Sequence, residues 1–120
     1  MPFEQIRTEQ RLDQLLAQAK SQGRPVILDY YADWCTACIE MEHETFSHGD
    51  VQQRLASHKW IQIDLTENDE DHALLERFNL PGPPAILFFN GQGEELSGAR
   101  IYAYKSKPQF LQHLSTHQIQ

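Results

Sequence analysis

The sequence predicts an α/β fold in which a central mixed β-sheet is flanked by helices on both faces. Apolar strand-like segments alternate with segments whose apolar residues recur at helical spacing, which is typical of strands joined through helices. The last of these strands is followed by Asn90-Gly91-Gln92-Gly93, a strong hairpin turn, which adds an antiparallel return. The length of 120 residues suits a single domain, 1–120, built around one core.

The first two elements are a helix and a buried strand. Residues 8–22 form a predicted amphipathic helix, with Thr8 as its expected cap and Gly23 at its end. The apolar residues that recur at helical spacing there are Leu12, Leu15, Leu16 and Ala19. Pro25 then opens a β-branched and aromatic strand over 26–31, in which Asp29 is the one charged residue.

The middle of the chain alternates again between helix and strand. We expect a helix from about 35 to 43 and another over 50–57, with Asp50 as its cap. Residues 60–64 alternate between apolar and polar side chains and are typical of a strand. A short helix over 69–78 follows.

The last third begins with a proline-rich loop. Residues 85–89 are uniformly apolar and predict a strand, and the turn at 90–93 returns the chain through a second strand over 95–104. Pro108 opens the final helix.

Composition limits the classes of function. The formal net charge of −7 argues against nucleic acid or an anionic membrane surface as a partner. No apolar run is long enough to span a membrane, and the opening residues lack the pattern of a signal peptide. Two cysteines are too few for a disulfide-rich secreted scaffold.

Those two cysteines, Cys35 and Cys38, lie where a predicted strand gives way to a helix. The helix N-terminus favours an anion, so Cys35 is the expected exposed, attacking thiol and Cys38 the more buried thiol that resolves a mixed disulfide. Three alternatives stay open. The first is half of a metal site, although one Cys-x-x-Cys supplies only two of the ligands. The second is a structural disulfide, which stabilises little over so short a loop. The third is two unrelated core thiols.

The residues around this pair resemble the thioredoxin superfamily. Trp34-Cys35-Thr36-Ala37-Cys38 follows an apolar strand, and Pro84 precedes a later one. Further segments are similar to the C-terminal, periplasmic domains of the DsbD family of membrane electron transporters. They are FEQIRTEQRLDQLL, ILDYYADWCTACIEMEHETFS, LTENDE and ALLERFNLPGPPAILFFNGQGEE.

This resemblance implies a thioredoxin fold and a disulfide reductase activity, with no cofactor beyond the Cys35–Cys38 dithiol and no metal. It implies that residues 1–120 are the C-terminal domain of a larger inner-membrane protein, monomeric and facing the periplasm. The domain would take electrons from the membrane domain and pass them to the N-terminal domain, with Cys35 as nucleophile and Cys38 as resolving thiol.

The superfamily also implies a cis-proline facing the disulfide, here at the Pro83–Pro84 bond. Pro83 contributes no N–H to a docked chain. We expect partner contacts at Pro83, Pro84 and the residues around the cysteines, although proline rings here could also serve only to stiffen the loop. The expected contact residues beside the cysteines are Tyr31, Trp34, Thr36 and Ala37. The alternatives for Trp34 and Tyr31 are that they cover the disulfide or are ordinary core or rim aromatics.

Acidic residues crowd around the pair. A carboxylate in a core strand is costly unless it is paired, protonated or useful. The thioredoxin superfamily has a buried acid at the matching position beneath the resolving cysteine, so the resemblance implies that Asp29 exchanges the proton of Cys38. Glu42 follows Cys38 by four residues and Cys35 by seven, which places it on the same helix face. The alternatives are an Asp29 at a solvent-exposed strand edge and an exposed Glu42.

Other polar residues are expected to have simpler roles. We expect Glu40, Glu44 and all six histidines at the surface, and Asp33 either as a helix cap or in solvent. Two nearby carboxylates disfavour a thiolate, so the pKa of Cys35 should exceed that of an ordinary thioredoxin nucleophile.

Two rival functions stay open. One is a free-standing thioredoxin-like disulfide reductase, which shares the chemistry and differs in partners. The other is a non-catalytic thioredoxin-fold binding module in which the cysteines are incidental.

Overall fold

A computed structural model describes residues 2–120 and has a four-stranded mixed sheet at its centre. The strands are β1 (Glu4–Ile6), β2 (Val26–Tyr31), β3 (Lys59–Asp64) and β4 (Ala85–Phe89). The α-helices are α1 (Glu9–Ser21), α2 (Thr36–Met41), α3 (Gly49–Arg54), α4 (Asp71–Glu76) and α5 (Lys107–Thr116). The strand order is β1-β3-β2-β4, with β4 antiparallel to β2 and the other pairs parallel, so the predicted α/β class is confirmed.

Each face of the sheet has its own apolar cluster, which confirms helices on both sides. One cluster joins alternate residues of β2, β3 and β4 to buried side chains of α1 and α4, including Leu12, Leu15 and Leu74. The opposite cluster joins the intervening strand residues to Met41, Phe46 and Phe110. The two clusters enclose β2 and β3 except at Tyr31, Lys59 and Asp64, so a polar side chain inside these strands needs a specific partner.

Local sequence signals account for most helix ends. Thr8 caps α1 as expected, because its side chain accepts a hydrogen bond from the Arg11 N–H, and Gly23 follows the helix with a φ of +66°. The final helix begins one residue before the predicted Pro108, because Ser106 and Gln109 form a reciprocal capping box. The α4 helix is shorter than the predicted 69–78.

Two predictions at helices were wrong. His48 rather than Asp50 occupies the cap position of α3, and the Asp50 carboxylate accepts from the adjacent Val51 N–H and pairs with Lys107. The predicted helix over 35–43 continues beyond Met41 as a π-helical turn over Glu42–Phe46. Such turns are frequent at functional sites.

The strand predictions failed at two places. Strand β1 was not predicted, because three residues give no periodic pattern. The predicted return strand over 95–104 is reduced to two isolated bridges, Phe89 with Glu95 and Ile86 with Ile101. A 3-10 turn over Ser97–Ala99 interrupts it, while the hairpin turn at 90–93 is present, closed by the Asn90 N–H donating to the Glu94 carbonyl.

The expectation that all six histidines lie at the surface is wrong for three of them. His113 and His117 are half-buried. His58 is buried just before β3, and its Nδ1 has no hydrogen-bond partner within residues 2–120. Burial, together with the charge of Arg24, lowers the pKa of His58 to about 4, so the ring is neutral at physiological pH. Among residues 2–120, no helix combines the length and apolar character needed to cross a bilayer.

Candidate active site

Cys35 and Cys38 form a disulfide at the first turn of α2, with their Cα atoms 5.3 Å apart. Cys35 is the N-cap residue, and its Sγ accepts a hydrogen bond from the Cys38 backbone N–H at 3.2 Å. The pair therefore lies where helix N-terminal donors favour a thiolate at Cys35 once the bond is reduced.

Both cysteines are buried, with relative exposures of 6% and 4%, so the expectation of an exposed Cys35 is wrong for the disulfide form. The disulfide belongs to the apolar cluster that also contains Tyr30 and Ala32. Cys38 Sγ lies 3.8 Å from the carbonyl oxygen of Tyr30, the residue next to Asp29 in β2. A partner must come into close contact before it reaches these sulfurs.

The Pro83–Pro84 peptide bond is cis, as expected, and Pro84 leads directly into β4. Pro83 and Pro84 are both half-buried. Pro83 lines a groove of about 560 Å³ that also includes Trp34.

This groove combines an aromatic wall with an acidic rim. Trp34 is 66% exposed, more than any other large apolar side chain among residues 2–120. The other lining residues are Leu65, Glu67, Asn68, Asp69, Asp71, Leu75, Pro81 and Gly82. An exposed indole next to a buried disulfide is suited to contact with a protein partner.

The remaining residues expected to contact partners lie outside the groove lining. Thr36 is exposed on the first turn of α2, while Ala37 and Tyr31 are half-buried. Burial, and then the negative charge of Glu42 and Asp64, raises the pKa of the Tyr31 phenol.

The two expected acids, Asp29 and Glu42, lie on one hydrogen-bonded network. Asp29 is buried in β2, which has strands on both sides, so the alternative of a solvent-exposed strand edge is wrong. Glu42 is half-buried at the start of the π-helical turn rather than exposed. The side-chain amide of Gln62 donates to Asp29 Oδ2 at 2.9 Å and to Glu42 Oε2 at 2.8 Å.

Burial dominates the electrostatics of Asp29. It raises the pKa of Asp29 to about 7, the hydrogen bond from Gln62 opposes the rise, and the charge of Glu42 adds to it. A carboxyl group with such a pKa changes protonation near neutral pH and is suited to exchange protons with a thiol.

The other acids near the disulfide face solvent. Glu40, Glu44 and Asp33 are exposed. The alternative of Asp33 as a helix cap is wrong, because Cys35 is the N-cap residue of α2. The Asp33 backbone N–H instead donates to Thr66 Oγ1 at 2.8 Å, which ties the loop before Cys35 to the end of β3.

Sequence reasoning missed Gln62 and Thr66. Gln62 is only 2% exposed. Its position between Ile61 and Ile63 in a buried strand could have indicated a polar residue that needs a partner, as it did for Asp29. Thr66 gave no signal, because its contact with Asp33 spans 33 residues.

Comparison with known proteins agrees with this geometry. Residues 7–91 match the model of a family described as thioredoxin-like. The chain is 49% identical over 113 residues to the thiol:disulfide interchange protein DsbD of Yersinia pestis, strain Pestoides F, covering 93% of this chain and 19% of that protein. It is 47% identical over 117 residues to DsbD of Escherichia coli K12, covering 97% of this chain and 20% of the relative. The chain thus spans about a fifth of the length of these relatives.

Solved structures place the match at one end of DsbD. The C-terminal domain of Neisseria meningitidis DsbD in its oxidised form superposes with a TM-score of 0.83 at 26% identity, covering 95% of this chain and 99% of that domain. Its reduced form gives a TM-score of 0.80 at 27% identity, covering 92% and 97%. The chain therefore belongs to the thioredoxin-like family and is similar over nearly its whole length to the C-terminal domain of DsbD.

Proposed function

We propose that this domain relays electrons between two other domains of a DsbD-type protein, from a membrane-embedded domain to a periplasmic partner domain. The observation that carries the proposal is the Cys35–Cys38 disulfide at the start of α2, next to a groove formed by Trp34 and the Pro83 loop. The match to the C-terminal domain of DsbD over nearly the whole chain supports it. The Cys35–Cys38 pair is the only redox group that the proposal needs.

The reaction is a pair of balanced exchange steps. The Cys35 thiolate attacks a disulfide of the recipient, a bond forms between Cys35 Sγ and one recipient sulfur, and the other recipient sulfur leaves as a thiolate. Cys38 then gives up its proton and attacks Cys35 Sγ. The Cys35–Cys38 disulfide forms, the recipient's second thiolate leaves, and two electrons have passed to the recipient.

In the proposed reaction each residue of the site has one role. Cys35 is the attacking sulfur because it accepts the Cys38 N–H at the helix start, and Cys38 resolves because it lies against the backbone of β2. Asp29 takes the proton that Cys38 releases, since Asp29 is the buried carboxyl next to Tyr30 in that strand and changes protonation near neutral pH. Trp34 and the Pro83–Pro84 loop receive the extended segment that carries the partner's cysteine.

Trapping of the mixed disulfide tests the proposal. The Cys38→Ala variant, once reduced, should form a stable mixed disulfide with the oxidised N-terminal domain of a DsbD protein, because the resolving thiol is absent. Cys35→Ala, in the same assay, is the matched control and should form little. The proposal fails if neither variant is trapped or if the pattern is reversed.

Insulin reduction separates the rival functions. The wild-type domain should reduce the N-terminal domain of DsbD much faster than it reduces insulin. Equal rates would favour a free-standing disulfide reductase, and no reduction of either would favour a binding module.

A further inference from the structure

A row of three polar side chains crosses three strands of the sheet. In the parallel registers, Gln5 of β1 lies opposite Gln62 of β3, and Gln62 lies opposite Asp29 of β2. Partners in register project from the same face of a sheet, so the three side chains are neighbours. Gln62 and Asp29 are both buried.

Every donor of the Gln62 side-chain amide, and its oxygen, makes a hydrogen bond in or beside this row. Its two N–H groups donate to Asp29 and Glu42, and its Oε1 accepts from Gln5 Nε2 at 2.7 Å. A carboxylate only accepts hydrogen bonds, so the donor end of the amide must face the two acids. The Gln5 bond then fixes that orientation from the opposite side.

We propose that Gln62 is a positioning residue for disulfide exchange, which holds the Asp29 carboxyl in place and joins it to Glu42 as one proton-holding pair. This inference rests on the proposed function, in which Asp29 receives the proton of Cys38. Gln62 has no titratable proton of its own in this role; it acts through Asp29, to which its amide N–H donates.

The electrostatics explain why an amide occupies this position. The charge of Glu42, which converges with Asp29 on the Gln62 amide, disfavours ionisation of Asp29. Asp33 and Asp64 are the other acidic groups that, together with Asp29 and Glu42, raise the pKa of Tyr31. An apolar side chain at position 62 would leave the buried Asp29 without a donor, and the ionised form that accepts the Cys38 proton would become scarce at neutral pH.

The first test follows Asp29 directly. In Gln62→Met, which keeps the length of the side chain without its donors, the carbon-13 carboxyl resonance of Asp29 should titrate at least one pH unit higher than in the wild type. An Asp29 titration that does not move would overturn the proposal. This measurement needs no partner, so it is independent of the trapping experiment that tests the proposed function.

Kinetics distinguish positioning from a merely structural effect. Decay of the mixed disulfide in Gln62→Met should slow about tenfold near neutral pH, and the acidic limb of its pH–rate profile should move upward with the Asp29 titration. In an Asp29→Asn background, Gln62→Met should add no further slowing, since the residue through which it acts is gone. An equal slowing in both backgrounds would contradict the proposal.

A measurement on the wild-type protein covers the case in which Gln62→Met does not fold. The NMR resonances of both Gln62 side-chain amide protons should shift with pH, with the same midpoint as the Asp29 carboxyl. The reason is that one amide N–H donates to Asp29 and the other to Glu42. Amide protons that do not follow that titration would rule out the coupling. Gln112, an exposed glutamine on α5, serves as the internal reference.

Discussion

The backbone N–H of Cys38 donates to Cys35 Sγ at 3.2 Å, so the sulfur that we propose as the attacking one has a donor from the first turn of α2. That donor favours a thiolate, whereas the negative charge that Asp29 and Glu42 carry when ionised disfavours one. The reactivity of Cys35 depends on the balance between these opposing influences.

The balance predicts how the acids affect the pKa of Cys35. Asp29→Asn and Glu42→Gln should each lower that pKa in the reduced protein, because each removes a negative charge near the thiolate. The ultraviolet absorbance of the thiolate, followed through a pH titration, measures the change. Glu40→Gln is the control, since Glu40 is an exposed acid on the same helix and should have little effect. A Cys35 titration unchanged in both variants would show that the acids do not restrain it.

Two buried groups should give the oxidised protein opposite pH dependences of stability. The folded pKa of Asp29, about 7, lies above its ordinary value of 3.8, so Asp29 lowers the free energy of unfolding as the pH rises through that interval. The folded pKa of His58, about 4, lies below its ordinary value of 6.5, so His58 lowers that free energy as the pH falls. Between about pH 4.5 and 6 the two opposite slopes nearly cancel, so the summed effect of Asp29 and His58 on the free energy of unfolding changes little with pH.

Single substitutions should expose each contribution. Relative to the wild type, Asp29→Asn should gain stability as the pH rises, and His58→Phe should gain it as the pH falls, by up to about 1.4 kcal/mol per pH unit in each case. Urea unfolding of the oxidised proteins at several pH values measures both. Differences from the wild type that do not change with pH would contradict this assignment of the two groups.

The parts of the fold that followed from the sequence are those with strong local patterns. Strands β2 and β4 are uniformly apolar apart from Asp29, and helix α1 has a clear cap and a periodic apolar face, so local chemistry specifies them. Strand β1 has only three residues, and it forms because β3 offers a parallel edge, which no local pattern reveals.

The site shows the same division. The Cys-x-x-Cys spacing at a strand-to-helix junction favoured a redox pair, and the resemblance to the thioredoxin superfamily implied the cis bond at Pro83–Pro84. Gln62 was missed because its importance depends on Glu42, 20 residues earlier, and Gln5, 57 residues earlier, converging on it in the fold. Burial of Cys35 was missed because helix position indicates which thiol attacks but says nothing about how the surrounding loops cover the disulfide.

An ion pair supports the segment after the groove loop. Arg100 donates to both carboxylate oxygens of Glu95, at 2.6 and 2.8 Å, and to the Phe78 carbonyl at 2.9 Å. Both side chains are largely buried, and Glu95 raises the pKa of Arg100. The segment after β4 is thereby linked to the turn that follows α4 and leads to the Pro83–Pro84 loop.

Removal of the two hydrogen bonds between Arg100 and Glu95 should destabilise the fold. Arg100→Lys should lower the free energy of unfolding by about 1–3 kcal/mol, because an ammonium group does not replace two parallel bonds and the contact with Phe78. Chemical denaturation measures the loss. Arg11→Lys is the matched control, since Arg11 pairs with Glu4 at a more exposed position and should cost at most about 0.5 kcal/mol. An equal loss of unfolding free energy in the two variants would show that the Arg100–Glu95 pair contributes no more than a surface ion pair.

The exposed indole of Trp34 should matter for protein partners and not for small disulfides. Trp34→Ala removes the aromatic wall of the groove while leaving Cys35 and Cys38 in place, so exchange with the N-terminal domain of a DsbD protein should slow about tenfold or more. Exchange with a small aromatic-free disulfide should change less than twofold, and Trp34→Phe should recover part of the rate with the protein partner. The free energy of unfolding should stay within about 0.5 kcal/mol of the wild type, because the side chain is mostly in solvent. If both substrates slow equally, Trp34 acts on the chemistry of the cysteines and not on docking.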